Sequence, residues 1–206
     1  MFKFDRQTFF DHYRTLFGPL KQELVNAVEF LLGEIEQDNR WQATDTHRRQ
    51  LAYMLATFKW ETAHTFEPIH EFGGTAYFNK CYGPSTKVGK VLGNTKAGDG
   101  ALFHGRGYVQ LTGRANFHRA AKLTGEKLLD DPDRALVPKL AYHIAVQGMK
   151  DGWFTGKKLD QFIKDGNPPL YEEARRIING QDKAAEIANI ARKMAELLRF
   201  SREAAK

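Results

Sequence analysis

Two glutamates in this 206-residue chain have the type and spacing of a catalytic acid and base. Glu61 follows Trp60 at the end of an apolar segment, and Glu71 comes ten residues later, beyond Pro68. Because a carboxyl in apolar surroundings resists ionisation, Glu61 is suited to donate a proton, whereas Glu71 in a solvated loop is suited to accept one. One protonated and one charged carboxyl are what hydrolysis of a glycosidic bond requires.

A polar run further along the chain supplies groups that can hold a sugar polymer and a water molecule. It covers residues 104–117 and has the sequence HGRGYVQLTGRANF. Gln110, Thr112 and Asn116 lie close together in it, and each side chain both accepts and donates hydrogen bonds. Together with the two glutamates, this run predicts a glycoside hydrolase.

Two metal-binding patterns near the glutamates are incomplete. The pairs Glu61-x-x-His64 and Glu67-x-x-His70 resemble halves of a di-iron motif, but they lie on one short segment rather than on different helices. The zinc-protease pattern fails because Trp60 takes the place of its first histidine. We therefore expect neither a metal nor an organic cofactor.

The composition predicts a folded protein with a basic surface. Hydrophobic residues make up 42% of the chain, and 31 Lys and Arg against 25 Asp and Glu give a net charge of +6. Such an excess favours polyanionic partners, including nucleic acid, anionic membrane surfaces and acidic cell-wall polymers. Because the basic residues are scattered instead of forming a stripe with aromatic residues, we expect no nucleic-acid binding.

The single cysteine and the N-terminal segment bear on the cellular compartment. One cysteine, Cys81, excludes an intramolecular disulfide, and we interpret it as an ordinary thiol. The first residues, MFKFDR, lack the basic-then-apolar pattern of a signal peptide, and no apolar stretch has the length of a membrane span. We expect synthesis in the cytoplasm and no stable membrane insertion.

Helical periodicity dominates the elements that must position these residues. It predicts helices over about residues 6–16, 20–37, 45–65, 112–123, 132–150, 157–164, 168–179 and 182–199. Between them, residues 72–107 have weak periodicity and predict a loop with a short hairpin. We predict a single domain over 1–206 with two lobes around a cleft, divided into an N-terminal helical part, 1–45, and a hydrolase core, 46–200.

The order of the motifs resembles glycoside hydrolase family 19, which holds plant-type chitinases and a branch of phage endolysins. The matching residues are Glu61-Thr62, Glu71, the segment 105–112 with Asn116, and the segment 177–180. They span roughly residues 50–190, and the short spacing between the glutamates is more similar to the endolysins. The resemblance implies a mainly α, lysozyme-like α+β fold with a long cleft, little β structure, and hydrolysis with inversion at the anomeric carbon.

The resemblance also implies a role for each matching residue. Glu61 would protonate the leaving oxygen, Glu71 would activate water, and Thr112 would position that water. Gln110, Asn116 and Asn179 would bind sugar groups; Tyr108 is also expected to contact substrate, and Trp60, which departs from the family, is expected to offer a stacking surface for a sugar ring. Arg106, between two glycines, is expected to support the cleft loop. Inverting enzymes keep their carboxyls about 6.5–9.5 Å apart, and we predict that range.

Three positions leave alternatives open. Trp60 stands where the family often has a histidine, so we expect the tuning of Glu61 to rest on desolvation. Arg192 is a candidate for an arginine that the family often carries in its last helix. Glu67 competes with Glu71 for the role of base, and Glu71 is favoured because it lies beyond the helix break.

The sequence predicts a peptidoglycan-degrading endolysin, a muramidase-like enzyme that cuts the glycan strand. The basic charge and the endolysin-like glutamate spacing favour this reading. The alternatives are a chitinase acting on N-acetylglucosamine polymers and a non-catalytic glycan-binding module. We expect a monomer whose partners are peptidoglycan strands or chitin oligomers, and which acts on the bacterial wall after release, in the periplasm at host lysis.

Overall fold

The computed structural model describes residues 1–201 and consists of helices with one small sheet. The α-helices are α1 (Arg6–Phe17), α2 (Gln22–Gln37), α3 (Asp45–Glu61), α4 (Thr75–Tyr82), α5 (Lys87–Val91), α6 (Asp99–Leu102), α7 (Arg114–Thr124), α8 (Pro138–Asp151), α9 (Leu159–Phe162) and α10 (Ala184–Phe200). Strands β1 (Ile69–His70) and β2 (Arg106–Gly107) pair antiparallel. The predicted mainly α fold with little β structure is confirmed.

The chain divides into two compact units. The first unit is Met1–Phe66 with Thr155–Lys206, and the second unit is Glu67–Phe154. The predicted domain, 1–206, includes residues 202–206, which lie outside the described part of the chain. Glu61 belongs to the first unit and Glu71 to the second.

In the first unit, side-chain caps fix where the helices begin. The Asp5 carboxylate accepts a hydrogen bond from the Thr8 backbone N–H at 2.6 Å, which starts α1. The Thr44 hydroxyl does the same for α3, accepting from the His47 N–H at 3.2 Å. Helix α3 is buried over most of its length and packs against α10. Its last residue, Glu61, therefore lies at the end of a core helix.

Helix α3 ends at Glu61, four residues earlier than predicted, in a tight turn. The Thr62 hydroxyl donates to the Phe58 carbonyl at 2.7 Å and accepts from the Phe66 N–H at 2.9 Å. In this turn Ala63, His64 and Phe66 have left-handed backbone. Side-chain-bearing residues rarely adopt this conformation, so backbone strain is concentrated directly after Glu61.

In the second unit, the segment predicted as a loop, 72–107, contains three short helices, α4, α5 and α6. Helix α5 begins where the Thr86 hydroxyl accepts from the Gly89 N–H at 2.8 Å, and Cys81 lies on α4. The loop prediction is wrong because helices of four to eight residues are too short to show a clear 3.6-residue period.

Two other helix predictions differ from the structure in type or position. Pro132 begins a 3-10 helix, Pro132–Leu136, and the α-helix starts later, at Pro138. The predicted helix over 168–179 is a 3-10 helix, Glu173–Ile177. The core of the second unit includes Phe103, Leu111, Phe117, Leu128 and Ile144. Within residues 1–201, no helix combines the length and apolarity that crossing a membrane needs.

Candidate active site

The carboxylate of Glu61 is paired with a guanidinium. Arg175 Nη1 donates to Glu61 Oε1 at 2.5 Å, and the two side chains are 4% and 17% exposed. Arg175 Nε donates to the Asp182 carbonyl at 3.1 Å, which fixes the orientation of the guanidinium plane. A buried cation therefore faces the Glu61 carboxyl.

This arginine is not the one that the sequence suggested. Arg192 on α10 pairs instead with Glu172 at 3.3 Å, and both of those side chains are half exposed. Arg175 lies on the 3-10 helix Glu173–Ile177. The sequence shows two adjacent arginines, Arg175 and Arg176, and gives no sign of which one is buried.

Asn179, a predicted substrate ligand, belongs to the same turn as Arg175. Its backbone N–H donates to the Arg175 carbonyl at 3.0 Å. Its side chain is exposed, and Oδ1 accepts from the Gly180 N–H at 2.8 Å. An exposed amide in this position has its Nδ2 available to a ligand, so the substrate-binding role stays a prediction.

The last turns of α3 bury one lysine and expose part of an indole. Lys59 Nζ donates to the Tyr13 hydroxyl at 2.9 Å, and the Lys59 side chain is surrounded by aromatic rings. Burial lowers the pKa of Lys59. Trp60 is half-buried and meets the His64 ring edge-on, with 5.9 Å between centroids. Its predicted contact with a sugar ring remains a prediction.

In the second unit, Glu71 directly follows β1 and is held by neutral donors. The Tyr82 hydroxyl donates to Glu71 Oε1 at 2.7 Å, and the Gly105 N–H donates to Oε2 at 3.0 Å. The Glu71 N–H in turn donates to the Gly105 carbonyl at 2.8 Å. Glu71 therefore lies in a loop, as predicted, but is half-buried and oriented at both oxygens. Burial and then the Glu71 carboxylate raise the pKa of Tyr82, which keeps this phenol a donor at neutral pH.

Gly105 allows Glu71 and Gln110 to approach each other. A Cβ at position 105 would lie 2.7 Å from Gln110 Oε1 and 3.0 Å from Glu71 Oε2, so these two side chains would have to move to make room for it. Gln110 Nε2 donates to the Ile69 carbonyl at 3.2 Å, and the Thr112 hydroxyl donates to the Gln110 carbonyl at 2.8 Å. The structure thus brings together Glu71, Gln110 and Thr112, three residues that the sequence predicted for one site.

Two residues that are close in sequence to Gln110 and Thr112 are buried, namely Asn116 and Tyr108. Asn116 is 8% exposed, and its Nδ2 donates to the Thr112 carbonyl at 3.0 Å, which links α7 to the cluster. Tyr108 is 1% exposed. The prediction that Tyr108 contacts substrate is wrong in this structure, because a ring with no accessible face belongs to the core.

Arg106 holds the backbone of the preceding turn. It is 5% exposed, and its Nη1 donates to the carbonyls of Leu102 and His104 at 3.1 and 2.9 Å. Its Nε donates to Asp133 Oδ1 at 2.7 Å, and this ion pair lowers the pKa of Asp133. Arg106 therefore acts on the site through the backbone that carries Gly105.

An aromatic stack that the sequence did not reveal lies beside Glu71. The rings of Tyr82 and Phe78 are nearly parallel, with centroids 6.4 Å apart. Phe78 stacks on His104 at 4.4 Å, and His104 stacks on His70 at 5.3 Å. These four residues are far apart in sequence or on one short helix, so periodicity gives no signal for the stack.

The two stacked histidines share a hydrogen bond. His104 Nδ1 lies 2.6 Å from the Ala101 carbonyl and must carry a proton there. In neutral His104 the other nitrogen, Nε2, is then an acceptor, and it lies 3.1 Å from His70 Nδ1. Burial lowers the pKa of His104, and the charges of Arg106 and His70 lower it further.

The described residues contain no preformed metal-binding site. Within residues 1–201, no group of three or more His, Cys, Asp or Glu side chains is placed to hold a metal ion. The chemistry that the arrangement offers is acid–base chemistry by carboxylates, one facing a cation and one facing neutral donors.

The fold is shared with solved chitinases of family 19. The chain matches chitinase C from Streptomyces griseus HUT6037 with a TM-score of 0.62 at 16% identity, over 95% of this chain and 78% of that chain. A bacterial family 19 chitinase matches with a TM-score of 0.63 at 16% identity, over 98% and 97% of the two chains. A family GH19 class IV chitinase from Zea mays matches with a TM-score of 0.53 at 18% identity, over 90% and 84%.

These matches confirm the predicted family 19 type of fold. No protein-family model matches the sequence, and no curated protein matches it. At identities of 16–18%, the similarity is one of fold, and the chemistry has to be argued from the residues of this chain.

Proposed function

We propose that this protein is a glycoside hydrolase that cuts the glycan strands of peptidoglycan with inversion at the anomeric carbon. The observation that carries the proposal is the contrasting support of two glutamates, Glu61 by a buried guanidinium and Glu71 by a phenol and a backbone amide. The fold, shared with enzymes named as chitinases, supports a glycan as substrate.

In the proposed mechanism Glu61 is the general acid. Its proton passes to the glycosidic oxygen as the bond to the anomeric carbon breaks, and a carboxylate is left behind. Arg175 faces that carboxylate, so the negative charge that develops on Glu61 is compensated as it forms. Stabilisation of a charge that grows in the transition state accelerates the reaction, whereas equal stabilisation of both states would not.

Glu71 is the proposed general base. It takes a proton from the water that attacks the anomeric carbon from the opposite face. Tyr82 and Gly105 orient its two oxygens without supplying a positive charge, so the carboxylate remains able to accept a proton. Thr112, whose hydroxyl donates to the Gln110 carbonyl, would orient that water.

The alternative base, Glu67, has weaker support. It is exposed, whereas Glu71 is half-buried and anchored at both oxygens. General bases need a fixed direction toward the proton that they accept, and the anchoring of Glu71 provides one. We therefore assign the base to Glu71.

Two observations bear on the substrate. The net charge of +6 favours an anionic polymer, and bacterial cell walls are anionic, so peptidoglycan is the first proposal. Chitin is the second candidate, because the proteins that share this fold are named chitinases. For peptidoglycan, we propose that the enzyme acts in the periplasm after its release at host lysis.

Digestion of purified peptidoglycan followed by mass spectrometry of the soluble products tests this proposal. Wild type should release reducing muropeptides, and the sugar at the reducing end identifies the bond. Glu61→Gln and Glu71→Gln should each lower the rate by about 10²–10⁴-fold, since each removes a proton-transfer group. Glu67→Gln should stay near the wild-type rate.

The matched control is Glu23→Gln, the same change at an exposed position on α2. It should behave as wild type. If the protein hydrolyses chitin oligomers and leaves peptidoglycan intact, chitin replaces peptidoglycan as the proposed substrate. Glycan binding without products from either polymer would identify a non-catalytic binding module, and proton NMR of the first-formed anomer would separate inversion from retention.

A further inference from the structure

Helix α5, Lys87–Val91, exposes two valines together with two lysines. Val91 is 80% exposed and Val88 is 50% exposed. Lys87 and Lys90 are exposed as well. Single exposed apolar residues are common on protein surfaces, but residues three apart on a helix are neighbours, so the two valines form one continuous apolar surface.

The central residue of the helix, Gly89, fixes which side of α5 faces solvent. Gly89 is buried, and a Cβ at this position would overlap the carbonyl oxygen of Gly83 and lie 2.5 Å from the carbonyl oxygen of Tyr82. The helix therefore packs directly against the backbone of the segment before it. The Asn94 N–H donates to the Gly89 carbonyl at 2.9 Å and ties the following turn to the same side. The opposite side of α5 is left in contact with solvent.

Helical geometry separates the lysines of α5 from its valines. Successive residues of an α-helix are about 100° apart around the helix axis. The order around the solvent-facing side is therefore Lys90, Lys87, Val91 and Val88, with Gly89 on the buried side. One edge of the exposed surface is cationic, and the other edge is apolar.

The two lysines lie in a part of the chain without acidic residues. The segment 72–98 contains four lysines and no Asp or Glu. Within residues 1–201, neither Lys87 nor Lys90 forms an ion pair. The next acid along the chain, Asp99, is buried and pairs with Arg114. The ammonium groups on α5 are therefore available to an anionic partner.

We propose that this face of α5, defined by Lys87, Val88, Lys90 and Val91, binds the surface of an anionic phospholipid bilayer. The lysines contact lipid phosphates, and the valines enter the boundary between headgroups and acyl chains. The contact is peripheral, because no helix within residues 1–201 has the length and apolarity to cross a membrane. This membrane contact goes beyond the proposed hydrolysis and does not depend on which glycan is cut.

The combination of charge and apolar surface favours a lipid bilayer over other anionic partners. A soluble phosphate polymer would engage the lysines and leave both valines in water. A stable protein–protein interface buries roughly 1,200 Å² or more, far beyond what the exposed side of a five-residue helix offers. A bilayer presents phosphates and hydrocarbon next to each other, which matches the two edges of α5.

Co-sedimentation with vesicles tests this surface. Wild type should bind vesicles of equal parts phosphatidylglycerol and phosphatidylcholine more tightly than vesicles of phosphatidylcholine alone, and added NaCl should weaken the binding. Lys87→Gln/Lys90→Gln should lower the apparent partition coefficient about 10- to 30-fold, since each lysine near an anionic surface contributes about fivefold. Val88→Ser/Val91→Ser should lower it about 3- to 10-fold, because two apolar side chains no longer leave water.

The matched control is Lys122→Gln/Lys127→Gln, the same change of charge at two exposed positions of the second unit outside α5. It should stay within about twofold of wild type. Equal losses in the two lysine variants would show that net charge and not α5 attracts the protein, and would overturn the proposal.

Two further outcomes would also overturn the proposal. Wild-type binding by Val88→Ser/Val91→Ser would show that no apolar contact is made. Inorganic polyphosphate bound as tightly as the anionic vesicles would identify a soluble polyanion as the partner. Glu61→Gln should bind vesicles as wild type does, so the surface and the proposed hydrolysis are tested separately.

Discussion

Glu61 and Glu71 are both partly buried glutamates, yet Glu61 faces a guanidinium at the end of a 17-residue helix, whereas Glu71 follows a two-residue strand and accepts bonds from a phenol and an amide. Helix α3 of the first unit is buried over most of its length, and this packing holds its final residue, Glu61, in position. The second unit fixes its glutamate with turns, glycines and stacked rings.

The two glutamates thus have different supports, a cation for Glu61 and neutral donors for Glu71. A cation beside an acid compensates the charge that remains after proton donation. Neutral donors beside a base orient it and leave its negative charge in place. Stability and activity should therefore respond differently when the supporting residues of Glu61 and of Glu71 are removed. Three measurements test this difference.

The largest effect is expected from Arg175→Met. It removes the buried guanidinium that donates to Glu61, which should lower the free energy of unfolding by about 2–4 kcal/mol, toward the low end of the range for breaking buried pairs because Glu61 keeps some solvent contact. Adding Glu61→Gln should restore part of the loss, as a double-mutant cycle in urea would show.

Arg192→Met provides the matched control for this cycle. It breaks the exposed pair with Glu172 and should change stability by less than about 1 kcal/mol. Equal losses in Arg175→Met and Arg192→Met would contradict the structural role given to the buried pair. An Arg175→Met protein as active as wild type would contradict the charge compensation.

A smaller effect on stability and activity is expected when Glu71, the candidate base, loses a donor. Tyr82→Phe removes one donor to Glu71 but keeps the ring that stacks on Phe78, and the Gly105 N–H remains. We expect a loss of about 1–2 kcal/mol in unfolding free energy and a fall in kcat of up to about tenfold, since orientation and not charge is lost.

Tyr171→Phe is the comparison for Tyr82→Phe, since its hydroxyl reaches a backbone carbonyl at 3.4 Å and no carboxylate. It should leave kcat unchanged. A Tyr82→Phe variant that loses activity as completely as Glu71→Gln would mean that the phenol takes part in the chemistry, and the contrast between the two regions would need revision.

The smallest effect concerns pH. The pKa of His104 is lowered chiefly by burial, so near neutral pH the folded protein binds fewer protons here than the unfolded chain, whose histidine titrates at about 6.5. Stability should therefore fall as pH drops below about 6.5 toward the folded pKa, with a slope below about 1.4 kcal/mol per pH unit. His64 contributes with the same sign, because burial and Lys59 lower its pKa.

His104→Asn keeps a donor toward the Ala101 carbonyl and removes the titration. Denaturant melts at pH 7.5 and 5.5 should show a smaller pH difference for this variant than for wild type. His118→Asn, at an exposed position on α7, should keep the full difference. An unchanged pH difference in His104→Asn would show that His104 does not control acid stability.

The starts of several helices and the candidate site residues could be predicted from local sequence patterns. The starts of α1 and α3 follow from Asp5 and Thr44, whose capping role is a property of their side chains and immediate neighbours. Glu61, Glu71, Gln110 and Thr112 could be singled out because their types and order match a known motif. The short helices between 72 and 107 could not, since their stability comes from packing and not from a periodic apolar face.

The mainly α fold, the two candidate glutamates and the polar run after Glu71 could be inferred from the amino-acid sequence, because capping, periodicity and motif order are local properties. Tertiary structure alone decided that Arg175 rather than Arg192 faces Glu61, that Tyr82 anchors Glu71, and that Tyr108 is in the core. These choices depend on which side chains meet across elements 11 to 114 residues apart in the chain, and no local pattern encodes such distances.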